Sequence, residues 1–317
     1  MAGRNSGGRS TTSSHPSVVS YGREVNIVER CWEVLPTGSK PKAGLVLIHG
    51  GNWHSGWFGE LGDLLSSAEY SIRVSAPDLI SHGLSDDPVP GYRAYCPDFA
   101  SQAEEVGAAI ARARAALPEG CLLFVLGESM GGLSALQHLI SEKANDGTTD
   151  PVDGVILCGA LLQIAPGLLP PKAVFPLLKA VGWLIPSLGV PGAAIGGETF
   201  DTAFGDPAVG PAARADPLVT EMAPPRLGMM LGFLKAMDVT KREGPVKLKV
   251  KSVLMMHYKG DQRTLYEDCQ RFVDDLPMED KVCIPLEGDS HQIFQDTPEK
   301  SKKHIKTVGR FITERAG

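Results

Sequence analysis

LLFVLGESMGG, residues Leu122 to Gly132, runs five apolar residues into G-x-S-x-G and then into a stretch, Gly131 to Ser141, with a helical pattern. A continuous apolar run of that length reads as a strand buried on both faces. A serine between such a strand and a helix sits on a sharp, strained turn, where flanking side chains would clash unless they were absent. Gly127 and Gly131 meet that demand, which makes Ser129 the candidate nucleophile. The same turn puts the backbone N–H of Met130 at a helix N-terminus, where it can stabilise an oxyanion.

The pattern continues on either side. Short β-rich runs are expected to be strands at Val25 to Val34, Leu45 to His49, Ile72 to Pro77, Gly154 to Cys158, Ser252 to His257 and Val282 to Leu286. Helical periodicity marks Phe99 to Leu117, Tyr266 to Asp275 and Glu299 to Glu314. Strands alternating with helices give an α/β class, a mainly parallel sheet with helices on both faces. Residues 164–246 break the rhythm with clustered Pro and Gly and the apolar run Ala173 to Leu188, so they are expected to be an inserted helical cap. The domain reading is a flexible tail over 1–23, a core over 24–163 and 247–317, and the cap between. The Ser- and Arg-rich tail also leaves open a plastid or mitochondrial transit peptide.

A serine hydroxyl needs a base to take its proton and an acid to orient that base. His291 is the only histidine between the last expected strand and the terminal helix, so it is the candidate base. Asp261 follows the strand SVLMMH by a short loop and is the candidate acid. Asp289 is its rival, but it lies only two residues from His291, and loop aspartates often serve turns. The second oxyanion donor is expected from the Gly51 N–H, in the loop His49-Gly50-Gly51-Asn52-Trp53-His54-Ser55. Trp53, His54 and Trp57 are read as candidate substrate contacts, Trp53 and Trp57 with core packing as the alternative. In the cap, Trp183 and Leu184 belong to an apolar run that could line an acyl pocket, touch a membrane surface, or pack on the core.

A net charge of −6 without a long basic run excludes an electrostatic footprint for nucleic acid. No apolar stretch is long enough to span a bilayer. The six cysteines form no C-x-x-C pair and read as reduced and buried, which points to a cytoplasmic protein. No carboxylate or cysteine joins the histidines of the His49 loop at ligand spacing, so no metal is expected.

Four blocks in order, H-G-x-x-x-H-S at His49 to Ser55, DLISHGLS at Asp78 to Ser85, G-E-S-M-G-G at Gly127 to Gly132, and the Asp261 and His291 loops, resemble the monoacylglycerol lipases and lysophospholipase-like esterases of the α/β-hydrolase fold. The resemblance implies single-chain glycerides or related esters as substrates, a hydrophobic cap over an acyl tunnel and no cofactor. Three departures stand out. Ser81 occupies a usual glycine position, His257-Tyr258 replaces His-Gly, and Asp261 is not followed by the usual Asp-Pro. Acyl transfer to an alcohol, which the H-x-x-x-x-D match at His82 to Asp87 would suit, and a ligand receptor without turnover are the competing readings.

Overall fold

The computed structural model describes residues 9–19, 23–96, 99–145, 152–190, 200–220 and 226–317. Its strands are β1 (Thr11–Val19), β2 (Arg23–Trp32), β3 (Ala43–Ile48), β4 (Ile72–Pro77), β5 (Leu122–Glu128), β6 (Gly154–Cys158), β7 (Ser252–Tyr258) and β8 (Lys281–Leu286). They form one sheet in the order β1-β2-β4-β3-β5-β6-β7-β8. β1 and β2 join antiparallel, and every pairing from β4 to β8 is parallel. This is the α/β-hydrolase fold.

The helices are α1 (Gly59–Leu65), α2 (Phe99–Ala115), α3 (Met130–Leu139), α4 (Glu142–Asn145), α5 (Phe175–Leu184), α6 (Val209–Arg214), α7 (Leu227–Lys247), α8 (Tyr266–Asp274) and α9 (Pro298–Ala316). The central strands are apolar throughout because each face has its own helical cover. Val46, Val125, Val155 and Val253 point into a core shared with α2, α3, α7 and α8. Leu45, Leu126, Ile156 and Leu254 point the other way, into a core closed by α1 and α9. Among the described residues no helix is long and apolar enough to cross a membrane.

Two boundaries differ from the sequence reading. The expected tail contains β1, whose residues Thr11 to Val19 pair with Arg23 to Cys31. A run of Ser and Thr carries little hydrophobic signal, and the partner's open backbone edge holds it instead. Residues 1–8 and 20–22 of that expected tail lie outside the described residues. The expected cap ends in α7, which is only half a cap. Its Ala236 and Met237 are core residues, and Gln137 Nε2 donates to Ala236 O at 3.2 Å and to Thr240 Oγ1 at 2.6 Å.

None of the six cysteines is in a disulfide, and Cys96, Cys158 and Cys269 are buried and the others half-buried. Ser81 explains the family's preference for glycine at its position, since it has φ of 64°. Its hydroxyl anchors that conformation, donating to Tyr92 O at 2.8 Å or to Asp87 Oδ1 at 2.9 Å.

Candidate active site

β5 ends at the turn that presents Ser129, whose φ of 51° and ψ of −118° lie outside the regions L-residues favour. Such strain costs on the order of 1–3 kcal/mol and persists only when the surroundings over-determine it. They do so here. The Ser129 N–H donates to Cys158 O at 3.0 Å, and its carbonyl accepts from Gly132 N at 3.0 Å and Leu161 N at 2.9 Å. Both flanking glycines are obligatory. A Cβ on Gly131 would run into the Ile48 carbonyl oxygen, and one on Gly127 would lie 2.5 Å from Gly132 Cα.

His291 and Asp261 converge on this serine. Ser129 Oγ lies 2.8 Å from His291 Nε2, and His291 Nδ1 lies 2.7 Å from Asp261 Oδ2. A carboxylate facing Nδ1 fixes the proton there, so Nε2 is left to accept from the serine hydroxyl. The His291 loop is held by the insertion, because Ala203 O accepts from both His291 N (3.0 Å) and Gln292 N (2.9 Å). Asp289, the rival acid, is exposed.

The Asp261 carboxylate is buried and saturated. Oδ1 accepts from the backbone N–H groups of Arg263 at 2.8 Å and Thr264 at 3.2 Å, and Oδ2 also faces the Thr264 hydroxyl at 2.8 Å and His257 Nε2 at 3.2 Å. Burial alone would raise its pKa. The charges and hydrogen bonds of His291 and His257 outweigh burial and hold it well below the usual carboxylate range. His257 and Thr264 therefore belong to the site, although His257 read in the sequence only as the end of a strand. The signal was its spacing, four residues before Asp261 across a loop that doubles back.

Ser129 opens into a cavity of about 300 Å³ lined by Gly51, Trp53, Met130, Leu161, Ile164, Leu168, Leu169, Met229, Phe233 and His291, among others. Gly51 and Met130 thus share the wall that contains Ser129. The loop carrying Gly51 passes close by, since a Cβ on Gly50 would sit 3.2 Å from Ser129 Cβ.

Of the five expected substrate contacts only Trp53 lines the cavity. His54 and Trp57 instead fasten the insertion to the core, with His54 Nε2 and Trp57 Nε1 donating to Asp216 Oδ2 at 3.0 and 3.1 Å. Trp183 and Leu184 are 83% and 69% exposed and do not line the cavity. The inner wall that they were expected to form is built from Leu168, Leu169, Met229 and Phe233 instead. His49 and His82 are buried structural groups whose pKa values burial lowers to about 4 and about 3. His49 Nε2 accepts from Leu79 N at 2.8 Å, and Asp87 pairs with Arg93, so His82 and Asp87 make no acyltransfer pair. Among the described residues no three His, Cys, Asp or Glu side chains form a metal cluster.

Glu128, beside the serine, is fully buried under Gln292. The Gln292 side-chain amide lies 2.8 and 2.7 Å from the two carboxyl oxygens. Burial pushes the carboxyl from 4.5 up to about 8, against the opposing pull of the Ile293 N–H. The folded protein then keeps a proton that the unfolded chain releases above 4.5, so this group's contribution to stability declines as pH rises from about 4.5 to about 8. Glu128→Gln removes that proton linkage. In thermal melts the Tm of the variant relative to wild type should climb between pH 5 and pH 8, and a constant difference would mean that Glu128 is ionised in the fold.

No curated protein sequence matches this chain. Among solved structures it is similar to the monoacylglycerol lipase of Paleococcus ferrophilus (TM-score 0.71, 23% identity, over 91% of this chain and 98% of that one). A soluble variant of monoglyceride lipase from Saccharomyces cerevisiae, in complex with a substrate analogue, gives a TM-score of 0.74 at 18% identity, over 95% of this chain and 94% of that one. A thermostable carboxyl esterase from Bacillus coagulans, in complex with glycerol, gives 0.70 at 17%, over 95% and 99%. These likenesses establish the fold. The family model described as serine aminopeptidase, S33, matches residues 39–298, and with that span the chain belongs to this family of α/β-hydrolase-fold proteins.

Proposed function

We propose that the protein is a serine esterase acting on carboxylic esters with an apolar acyl group, in the manner of a monoacylglycerol lipase. One observation carries the reading: the Ser129, His291 and Asp261 chain, at 2.8 and 2.7 Å, opens into a cavity walled by Leu161, Ile164, Leu168, Leu169, Met229 and Phe233. Ser129 Oγ attacks the ester carbonyl as its proton passes to His291 Nε2, and Asp261 stabilises the imidazolium. The N–H groups of Met130 and Gly51 receive the oxyanion. The alcohol departs with the proton from His291, and water, deprotonated by the same nitrogen, releases the acid from Ser129. The exposed apolar side chains of α5, including Leu177, Trp183 and Leu184, suit contact with a lipid surface rather than with the bound acyl chain.

An aminopeptidase must hold its substrate's ammonium group. The cavity has Arg226 and Arg263 in its wall and no carboxylate among its described lining residues, which disfavours that chemistry here. A fluorophosphonate probe should label Ser129, and an ester panel from p-nitrophenyl acetate to monooleoylglycerol should show kcat/KM rising with acyl length. Each methylene buried contributes about 0.8 kcal/mol, roughly fourfold in kcat/KM, until the cavity is filled. No labelling, or a panel on which acetate is preferred, would overturn the reading.

A further inference from the structure

Among the described residues no counter-ion meets Arg226, a cation in the wall of the cavity that contains Ser129. It stands at the N-terminal end of α7, where Met229, Met230 and Phe233 supply the neighbouring apolar wall. Nη1 donates to Ser187 O at 3.1 Å, and the guanidinium lies 4.7 Å from the centre of the Tyr92 ring. Nε is buried without an acceptor. The guanidinium is thus held by a neutral carbonyl and a ring face, and among the described residues no carboxylate meets it. Neutral partners of this kind orient a guanidinium but leave its charge uncompensated, and its planar fork matches a carboxylate or phosphate.

We propose that Arg226 is a specificity-determining residue which binds an anionic substituent of the substrate, so that the site favours esters carrying a carboxylate or phosphate over uncharged ones. The inference rests on the esterase reading and narrows it to acidic esters. The rest of the wall accommodates the apolar portion, and the cation selects the end of the substrate that carries charge. A neutral wall would exclude such a group, because an unpaired anion in an apolar cavity loses hydration without recompense.

Two matched pairs test this. The mono-p-nitrophenyl ester of adipic acid is compared with p-nitrophenyl hexanoate, placing the charge on the acyl side, and 1-oleoylglycerol 3-phosphate with 1-oleoylglycerol, placing it on the alcohol side. In at least one pair the wild-type protein should show a tenfold or greater kcat/KM advantage for the anionic member, and the pair that responds tells a carboxylate on the acyl side from a phosphate on the alcohol side. Arg226→Gln should abolish that advantage, chiefly through KM, while the neutral member changes less than threefold. Arg226→Lys should retain part of it. Equal handling of both members by wild type in both pairs overturns the proposal without needing a variant. So does equal loss on both members in Arg226→Gln, which would make Arg226 only a tie between α7 and the Ser187 segment. Labelling of Ser129 by the fluorophosphonate, measured alongside, keeps a failure of the esterase reading distinct from a failure of this one.

Discussion

Ser129→Ala should lower kcat for ester hydrolysis on the order of 10⁶-fold while leaving the melting temperature within a few degrees of wild type. The size follows from what is removed. Without Oγ there is no acyl-enzyme route, and members of such a relay act as one unit, so loss of the nucleophile forfeits most of the relay's contribution at once. The fold should tolerate the change because the hydroxyl's partner is His291, whereas the strained backbone is held by main-chain bonds to Cys158, Gly132 and Leu161 that alanine keeps. Purified variant and wild type are compared by initial rate on a p-nitrophenyl ester and by thermal melt. Activity within tenfold of wild type would remove Ser129 from the chemistry, and a collapsed Tm would instead assign the hydroxyl a structural role.

The elbow was legible because its constraints are local. A buried strand, two glycines and a helix must lie within eleven residues, and each is a property of the sequence itself. The His291 loop was legible for a related reason, since the chain order left one histidine between the last strand and the terminal helix. The roles of His54 and Trp57 depend on a partner about 160 positions away. Asp216 takes both hydrogen bonds, and nothing near either residue marks it. The sequence marks both as candidate substrate contacts but does not tell such a contact from an anchor for the insertion.

The cap misreading has a different cause. An apolar run announces that a segment prefers to leave water, but it does not say what will cover it. The run from Phe175 to Leu184 forms α5, yet Leu177, Trp183 and Leu184 remain exposed and the cavity wall comes from α7 and from Leu168 and Leu169. α7 itself was illegible because Gly228, Gly232, Gly244 and Pro245 look like breakers, whereas close approach explains two of them. A Cβ on Gly228 would lie 2.8 Å from Pro186 Cβ, and one on Gly244 would strike the Phe272 ring. These glycines permit contact between elements, which is a tertiary demand that propensity cannot reveal.

Asp261→Asn should lower kcat on the order of 10⁴-fold, while Asp289→Asn changes it by less than about threefold. The asymmetry comes from proton placement. In the native site the carboxylate Oδ2 accepts from His291 Nδ1, which leaves Nε2 as the acceptor for the Ser129 hydroxyl. An amide at 261 can turn its NH₂ toward Nδ1, which moves the ring proton to Nε2, where it blocks transfer from the serine. It also removes the negative charge that stabilises the imidazolium. Asn is nearly isosteric and keeps an oxygen for the Arg263 and Thr264 N–H groups, so the loop should survive. Asp289 is exposed and reaches neither nitrogen of the ring, so its charge is screened by water. Rates of fluorophosphonate labelling should fall with kcat in Asp261→Asn and stay at the wild-type value in Asp289→Asn, because the probe reports how readily Ser129 loses its proton. If instead both variants lose activity together, the acid is shared or indirect, and if only Asp289→Asn does, the histidine must leave Asp261 and turn toward Asp289 during turnover.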